Sequence, residues 1–329
     1  MARLFTTGIE CGDLGDFAIV SNAAASVATV RTGTYSLSIT ATNGYAQWNH
    51  TAVPSEFFVR IPFNRGTSTS GGRILSLIYG GTEVLSLRLD QDTFQLTTYL
   101  GSSDSFQLGT GSHSLNTSTW YLIEAHVVVH SSGTFDVRVD GDTDMEFSGD
   151  TQSGTTPGVS TFKCMGWATC FFDDIAINDT TGDSQNSWAG DGYVYNLMPN
   201  AAGDVTGLTP SAGDNYACVD EIPADGDTSY VAASAADLYD LYHLDYDANI
   251  TGRLITLVQP WATAKESFAD GGAVQLGVKP AASESWSASR DLQTSYARAW
   301  GDVYYANPET AADWEDSDLQ TLQVGVKVK

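Results

Sequence analysis

Asp140-Gly-Asp142-Thr-Asp144-Met-Glu146 places four acidic side chains within seven residues. On one strand, residues two and four apart project from the same face. Carboxylates aligned in this way could act as acid and nucleophile on a glycosidic bond, or hold a hard cation. The local sequence argues against both uses. Asp140-Gly141 is a strong turn dipeptide, so the pleat is broken and the early members belong to a hairpin tip. The order Glu-x-Asp-x-x-Glu is absent, and no aromatic residues cluster beside the row. As a calcium loop it lacks the turn glycine and the closing bidentate glutamate. Asp173-Asp174 forms a second acidic pair, in which one residue is expected to cap a loop and the other to bond a neighbouring strand. No bound metal is expected, and the positions where a cation could sit are Asp140, Asp142, Asp144, Asp173 and Asp174.

Other chemistries find less support. His126 and His130 have the spacing of a zinc-binding helix, but Val127-Val-Val129 between them favours a strand. Residues four apart on a strand lie ~13 Å apart, too far to share a metal at about 2 Å per bond. The sequence contains neither a Gly-x-Ser-x-Gly elbow nor a phosphate-cradling Gly-x-x-x-x-Gly-Lys loop. No cofactor and no enzymatic activity are expected. Among the eight tryptophans, Trp48, Trp120 and Trp167 are expected in a core, and Trp188, in Ser-Gln-Asn-Ser-Trp-Ala-Gly, is the candidate for an exposed glycan contact.

Charge narrows the partners. The 329 residues carry a formal charge of −25, divided almost evenly, −12 before Asp204 and −13 from it onward. An evenly acidic surface disfavours nucleic acid, whose phosphates need a basic patch, and it disfavours anionic membrane. No apolar run approaches the ~20 residues that span a bilayer. The first ten residues lack the apolar stretch of a signal peptide, so export is not expected. Four cysteines occur without a CxxC pair. Strand neighbours could bring Cys164 and Cys170 together, yet buried thiols are the expectation for a protein made in a reducing compartment.

The elements that must position these residues read as strands. Trp120 to Val129 and Gly133 to Asp140 alternate, with Val127, Val129, Phe135, Val137 and Val139 on one face. Turns fall at His130–Gly133 and Asp140-Gly141, and Phe171-Phe-Asp-Asp-Ile-Ala-Ile-Asn178 supplies another strand. Upstream, Arg73 to Tyr79, Val84 to Leu89 and Thr93 to Tyr99 follow at the spacing of a sandwich or barrel. This order is similar to that of a concanavalin A-like, or laminin G-like, jelly roll. The expected fold is therefore all-β: a jelly-roll sandwich over residues 1–199, a linker at 200–210 rich in small residues and proline, and a second, smaller β-sandwich over 211–329. One helical turn is expected between Ala232 and His243, where Leu238, Leu241 and Tyr242 have i, i+3, i+4 spacing.

Phe171 to Asp179, Gly182 to Pro199, Val219 to Val231, Asp237-Leu-Tyr-Asp-Leu-Tyr242, Asn307-Pro-Glu-Thr310 and Leu322 to Lys327 together resemble a group of tailed-bacteriophage virion proteins with such a jelly roll. The resemblance implies a structural component of a phage particle, most simply a head decoration protein. It would be homo-oligomeric, in contact with the major capsid or other virion proteins, and located in the virion. The alternative is a carbohydrate-binding protein contacting host or environmental glycans. Met1–Thr7 and the terminal strand ending at Lys329 are the expected docking elements, since terminal strands can extend a neighbour's sheet.

Overall fold

The computed structural model describes residues 2–102, 105–268 and 271–329. The chain divides into two compact units, Met1–Val194 and Tyr195–Lys329. Among the described residues nearly all regular structure is strand, with one six-residue α-helix at Asp316–Thr321.

Two seven-stranded sheets enclose the core of the first unit. The back sheet runs, in spatial order, Arg3–Thr7, Ile175–Asp179, Glu56–Arg60, Ile123–Val128, Gly133–Val139 and Asp142–Met145, with Ser148–Gly149 pairing off Gly133–Val139. The front sheet runs Gln107–Ser114, Gln95–Leu100, Thr82–Leu89, Gly72–Tyr79, Thr161–Gly166, Gly44–Asn49 and Ile19–Ser21. A five-stranded sheet completes the unit. Strands distant in sequence are neighbours in both large sheets, and consecutive segments cross between layers, which makes the unit a jelly-roll β-sandwich.

Period-two patterning decides which face of each strand is buried. Residues paired across antiparallel strands share a face, and on the back sheet Ala125 faces Val137 and Val59 while Val127 faces Phe135 and Phe57. All are core residues, as are Leu75, Leu77, Leu85 and Leu87 of the front sheet. Phe57 meets Phe162 edge-on between the two layers, with ring centres 5.1 Å apart. The turn expected at Asp140-Gly141 forms, with both residues at positive φ.

The second unit is built on a six-stranded sheet ordered Pro199–Thr206, Tyr239–Leu244, Gln323–Val328, Ala273–Lys279 and Ser285–Trp286, with Arg290–Asp291 pairing off Ala273–Lys279. Its apolar face bears Val274, Leu276 and Val326. Ala262 and Ala299, from the two-stranded ribbon of Trp261–Ala264 and Ala297–Trp300, cover part of it. Ile250, Trp314, Leu319 and Leu322 pack on Val278.

Three expectations are corrected here. Residues 200–210 do not form a linker, since Pro199–Thr206 is an edge strand paired with Tyr239–Leu244 and Thr209–Pro210 pairs with Val231–Ala232. Backbone hydrogen bonds hold this segment in the sheet although its small side chains carry no apolar pattern. The helical turn before His243 is absent because Tyr239–Leu244 pairs on both flanks and buries Asp240 and Tyr242. The terminal strand Gln323–Val328 lies mid-sheet between Tyr239–Leu244 and Ala273–Lys279, so it has no free edge to offer a partner.

Candidate functional site

The structure scatters the acidic row. Asp140 accepts from the Leu122 amide at 2.8 Å, which ties the hairpin tip to the start of strand Ile123–Val128, and Asp142 is exposed. The Asp144 side chain is buried and accepts from the Ser112 and His113 amides at 2.7 and 2.8 Å, and from the His113 ring at 2.8 Å. It therefore ties the edge of the back sheet to strand Gln107–Ser114 of the front sheet. No group of three or more potential metal-ligating side chains is present among the described residues.

Asp173 and Asp174 are fully buried and act as loop anchors. Asp173 accepts from the backbone amides of Arg31, Thr32 and Asp174. Asp174 accepts from the Arg31 guanidinium at 2.6 Å, the Thr32 hydroxyl at 2.9 Å and the Val194 amide at 2.8 Å. Burial pushes Asp173 up to about 8, the neighbouring Asp174 carboxylate adds to the rise, and the three amide donors oppose it. Because this value lies above that of an unfolded aspartate near 4, the folded unit binds the extra proton between about pH 4 and 8. Its stability is expected to fall across that window as pH rises, by an amount on the order of a few kcal/mol. Asp173→Asn, which keeps the shape without titrating, should flatten the slope. Denaturant titrations at several pH values check this, and identical pH profiles for the two proteins would contradict it.

Trp188 is half-buried on the outer face of the back sheet. The Arg138 guanidinium stands 3.9 Å from its ring centre, and Phe58 and His126 meet it edge-on. His126 lies between Glu56 and Asp136 and stacks on Phe58, whereas His130 bonds Ser132 at the turn. Trp188 thus fastens a strap of chain onto the sheet. Cys164 and Cys170 are buried free thiols, and burial pushes the Cys170 thiol up to about 12.

The outer face of the front sheet gathers basic, hydroxyl and aromatic side chains. Opposite the leucines, the register sets Arg88 between Arg73 and Thr97, Ser76 between Ser86 and Lys163, Lys163 beside Gln47, and Met165 beside Tyr45. Three of the eight basic side chains preceding Asp204 thus share one polar face. Arg73 and Arg88 approach Glu83 to 3.3 and 3.9 Å, and Ser76 donates to the same carboxylate. Arg88 stands 4.2 Å over the Tyr99 ring and Lys163 stands 4.3 Å over the Tyr45 ring. No carboxylate lies within ion-pair distance of Lys163 among the described residues.

A cavity of about 490 Å³ opens at the end of this face, lined by Arg73, Arg88, Met165, Trp167 and Asn43. Trp167 lies directly across Gly72, where a Cβ would come within 2.7 Å of an indole carbon, and its Nε1 donates to Ser68 at 3.1 Å. Guanidinium forks and an ammonium are groups that recognise a carboxylate, and the aromatic rings beside them offer flat apolar faces. The sequence alone marks none of these residues as a binding group, and it places Trp167 in a core. Its available signal was Val84-Leu-Ser-Leu-Arg-Leu89, where Ser86 and Arg88 alternate with core leucines.

No family model and no curated protein matches the chain. It is similar to solved structures at low identity. One is an endo-β-1,4-glucuronan lyase from Trichoderma reesei, at 14% identity and a TM-score of 0.43, covering 54% of this chain and 96% of that one. Another is the cellulose-induced protein Cip1, at 15% identity and a TM-score of 0.44, covering 57% and 100%. The alginate lyase Aly36B is a third, at 9% identity and a TM-score of 0.36, covering 50% and 88%. The expectation that the chain is not an enzyme is corrected here: the solved structures it is similar to include ones named as lyases, and missing motifs give no ground for excluding catalysis.

Proposed function

We propose that the first unit binds acidic glycans along the outer face of its front sheet. The alignment of Arg73, Arg88 and Lys163 with Tyr45 and Tyr99, on a chain of net charge −25, carries this reading. A uronate ring offers a planar carboxylate, which suits a guanidinium fork, and an apolar C–H face, which suits an aromatic ring. Tyr45 and Tyr99 lie on strands separated by four inter-strand spacings, ~19 Å in all, a span that accommodates an oligosaccharide. Glu83 orients the two guanidinium groups.

Binding columns of immobilised polyuronate and of neutral glucan test the proposal. The chain should be retained on polyuronate at low ionic strength and released by about 0.5 M salt, where charges are screened within a few ångströms, and it should pass the neutral column. Equal retention on both would contradict the charge-based reading. Release of unsaturated uronides in the same eluates reports whether the face also turns its ligand over. A place on a phage particle is compatible with such a face, and a mass-spectrometric census of purified particles tests that setting separately.

A further inference from the structure

The chain has five lysines and 40 acidic side chains. Lys265, Lys279 and Lys329 are each paired with an aspartate. Lys163 and Lys327 have no carboxylate within ion-pair distance among the described residues, and both stand over aromatic rings on an outward sheet face. Lys163 belongs to the site above. Lys327 lies in the second unit, on strand Gln323–Val328.

The register of the six-stranded sheet places Tyr239 beside Lys327, Leu241 beside Gly325, Gly325 beside Gly277, and Gly277 beside Trp286. These residues occupy the face opposite Leu276 and Val326. A Cβ at Gly277 would come within 2.6 Å of an indole carbon of Trp286, and one at Gly325 within 2.8 Å. The indole therefore lies close over two strands. Tyr239 meets it edge-on, with ring centres 5.4 Å apart. Glu284 fixes both polar edges, accepting from Trp286 Nε1 at 2.9 Å and from the Tyr239 hydroxyl at 3.2 Å. Lys327 Nζ stands 4.0 Å from the Trp286 ring centre and 4.6 Å from that of Tyr239.

We propose that this face is a second binding site for an acidic pyranose, separate from the front sheet and not dependent on it. The sugar's C–H face would pack on Trp286, and its carboxylate would take the Lys327 ammonium from the rings. Two carboxylates stand nearby: Asp237, whose charge reaches Lys327, is paired with Lys329, and Glu284 is held by the two aromatic donors. Lys327 is thus the cation available to an anionic ligand.

Titration of the full chain with an oligogalacturonate tests the proposal in a background carrying Arg73→Ala and Arg88→Ala. Residual binding should persist there, and Lys327→Ala should weaken it about tenfold, the loss of one charge-assisted contact. Trp286→Ala should remove it. If Trp286→Ala alters the near-ultraviolet circular dichroism of the folded chain, the Lys327→Ala result decides alone. Absence of residual binding, or residual binding unchanged by Lys327→Ala, overturns the proposal. Equally tight binding of neutral maltoheptaose overturns the acidic class. Undiminished binding by the arginine double variant would refute the front-sheet reading and leave the Lys327 comparison intact.

Discussion

Asp174→Ala is expected to destabilise the first unit by about 3–5 kcal/mol, the cost of removing one partner from a buried ion pair. Asp174 is fully buried, and its loss removes the acceptor of the Thr32 hydroxyl and the Val194 amide and takes from the Arg31 guanidinium one of its two carboxylates, Asp191 being the other. For a unit of this size the midpoint of thermal unfolding should fall by roughly 10 °C. Asp174 also holds positive φ, a conformation that asparagine tolerates. Asp174→Asn should therefore cost less than the alanine variant, since it keeps the backbone geometry and part of the hydrogen bonding. Calorimetry of the two variants checks the order. A shift of less than about 2 °C for Asp174→Ala would show that the anchor does not hold the unit.

The second large effect concerns the ligand. Replacing both Arg73 and Arg88 by alanine should weaken binding of an acidic oligosaccharide by about 100-fold or more, since each charge-assisted hydrogen bond is worth about 1.5–3 kcal/mol. The double variant also leaves Glu83 without the two guanidinium groups that approach it, so a local negative charge adds to the loss. Lys163→Ala, on a half-buried side chain over Tyr45, should cost about tenfold without disturbing that cluster. Affinities measured at one low ionic strength check both. Wild-type affinity in the double variant, with its fold intact, would remove the front sheet from consideration.

Much of the fold was legible because strand periodicity is a local signal. The pairing of Ile123–Val128 with Gly133–Val139 and the turn at Asp140-Gly141 follow from alternation and turn chemistry within twenty residues. The Pro199–Thr206 strand was not legible, because alanine and glycine carry no apolar pattern and only backbone pairing marks them as part of a sheet. The dispersal of the acidic row was legible at its start, where Asp140-Gly141 breaks the pleat, but the burial of Asp144 was not. A register shift between Val137 and Arg138 and the hairpin tip send its members to a turn, to solvent and to the joint between sheets.

The candidate site was hidden by distance along the chain. Tyr45, Arg73, Arg88, Tyr99 and Lys163 come from five strands spread over more than a hundred residues, and pairing alone brings them onto one face. A register shift between Arg73 and Leu75 also interrupts the alternation that would have assigned Arg73 to its face. Trp188 shows the converse: its polar, glycine-rich surroundings suggested exposure, whereas Arg138 and Phe58 hold it against the back sheet.

A structure of the chain in complex with an acidic oligosaccharide tests the central claim most directly. Sugar carboxylates should lie within hydrogen-bonding distance of Arg73, Arg88 or Lys163, with the chain of rings crossing the front sheet between Tyr45 and Tyr99. A ligand bound to the back sheet beside Trp188, or a front sheet left bare at saturating oligosaccharide, would contradict the account.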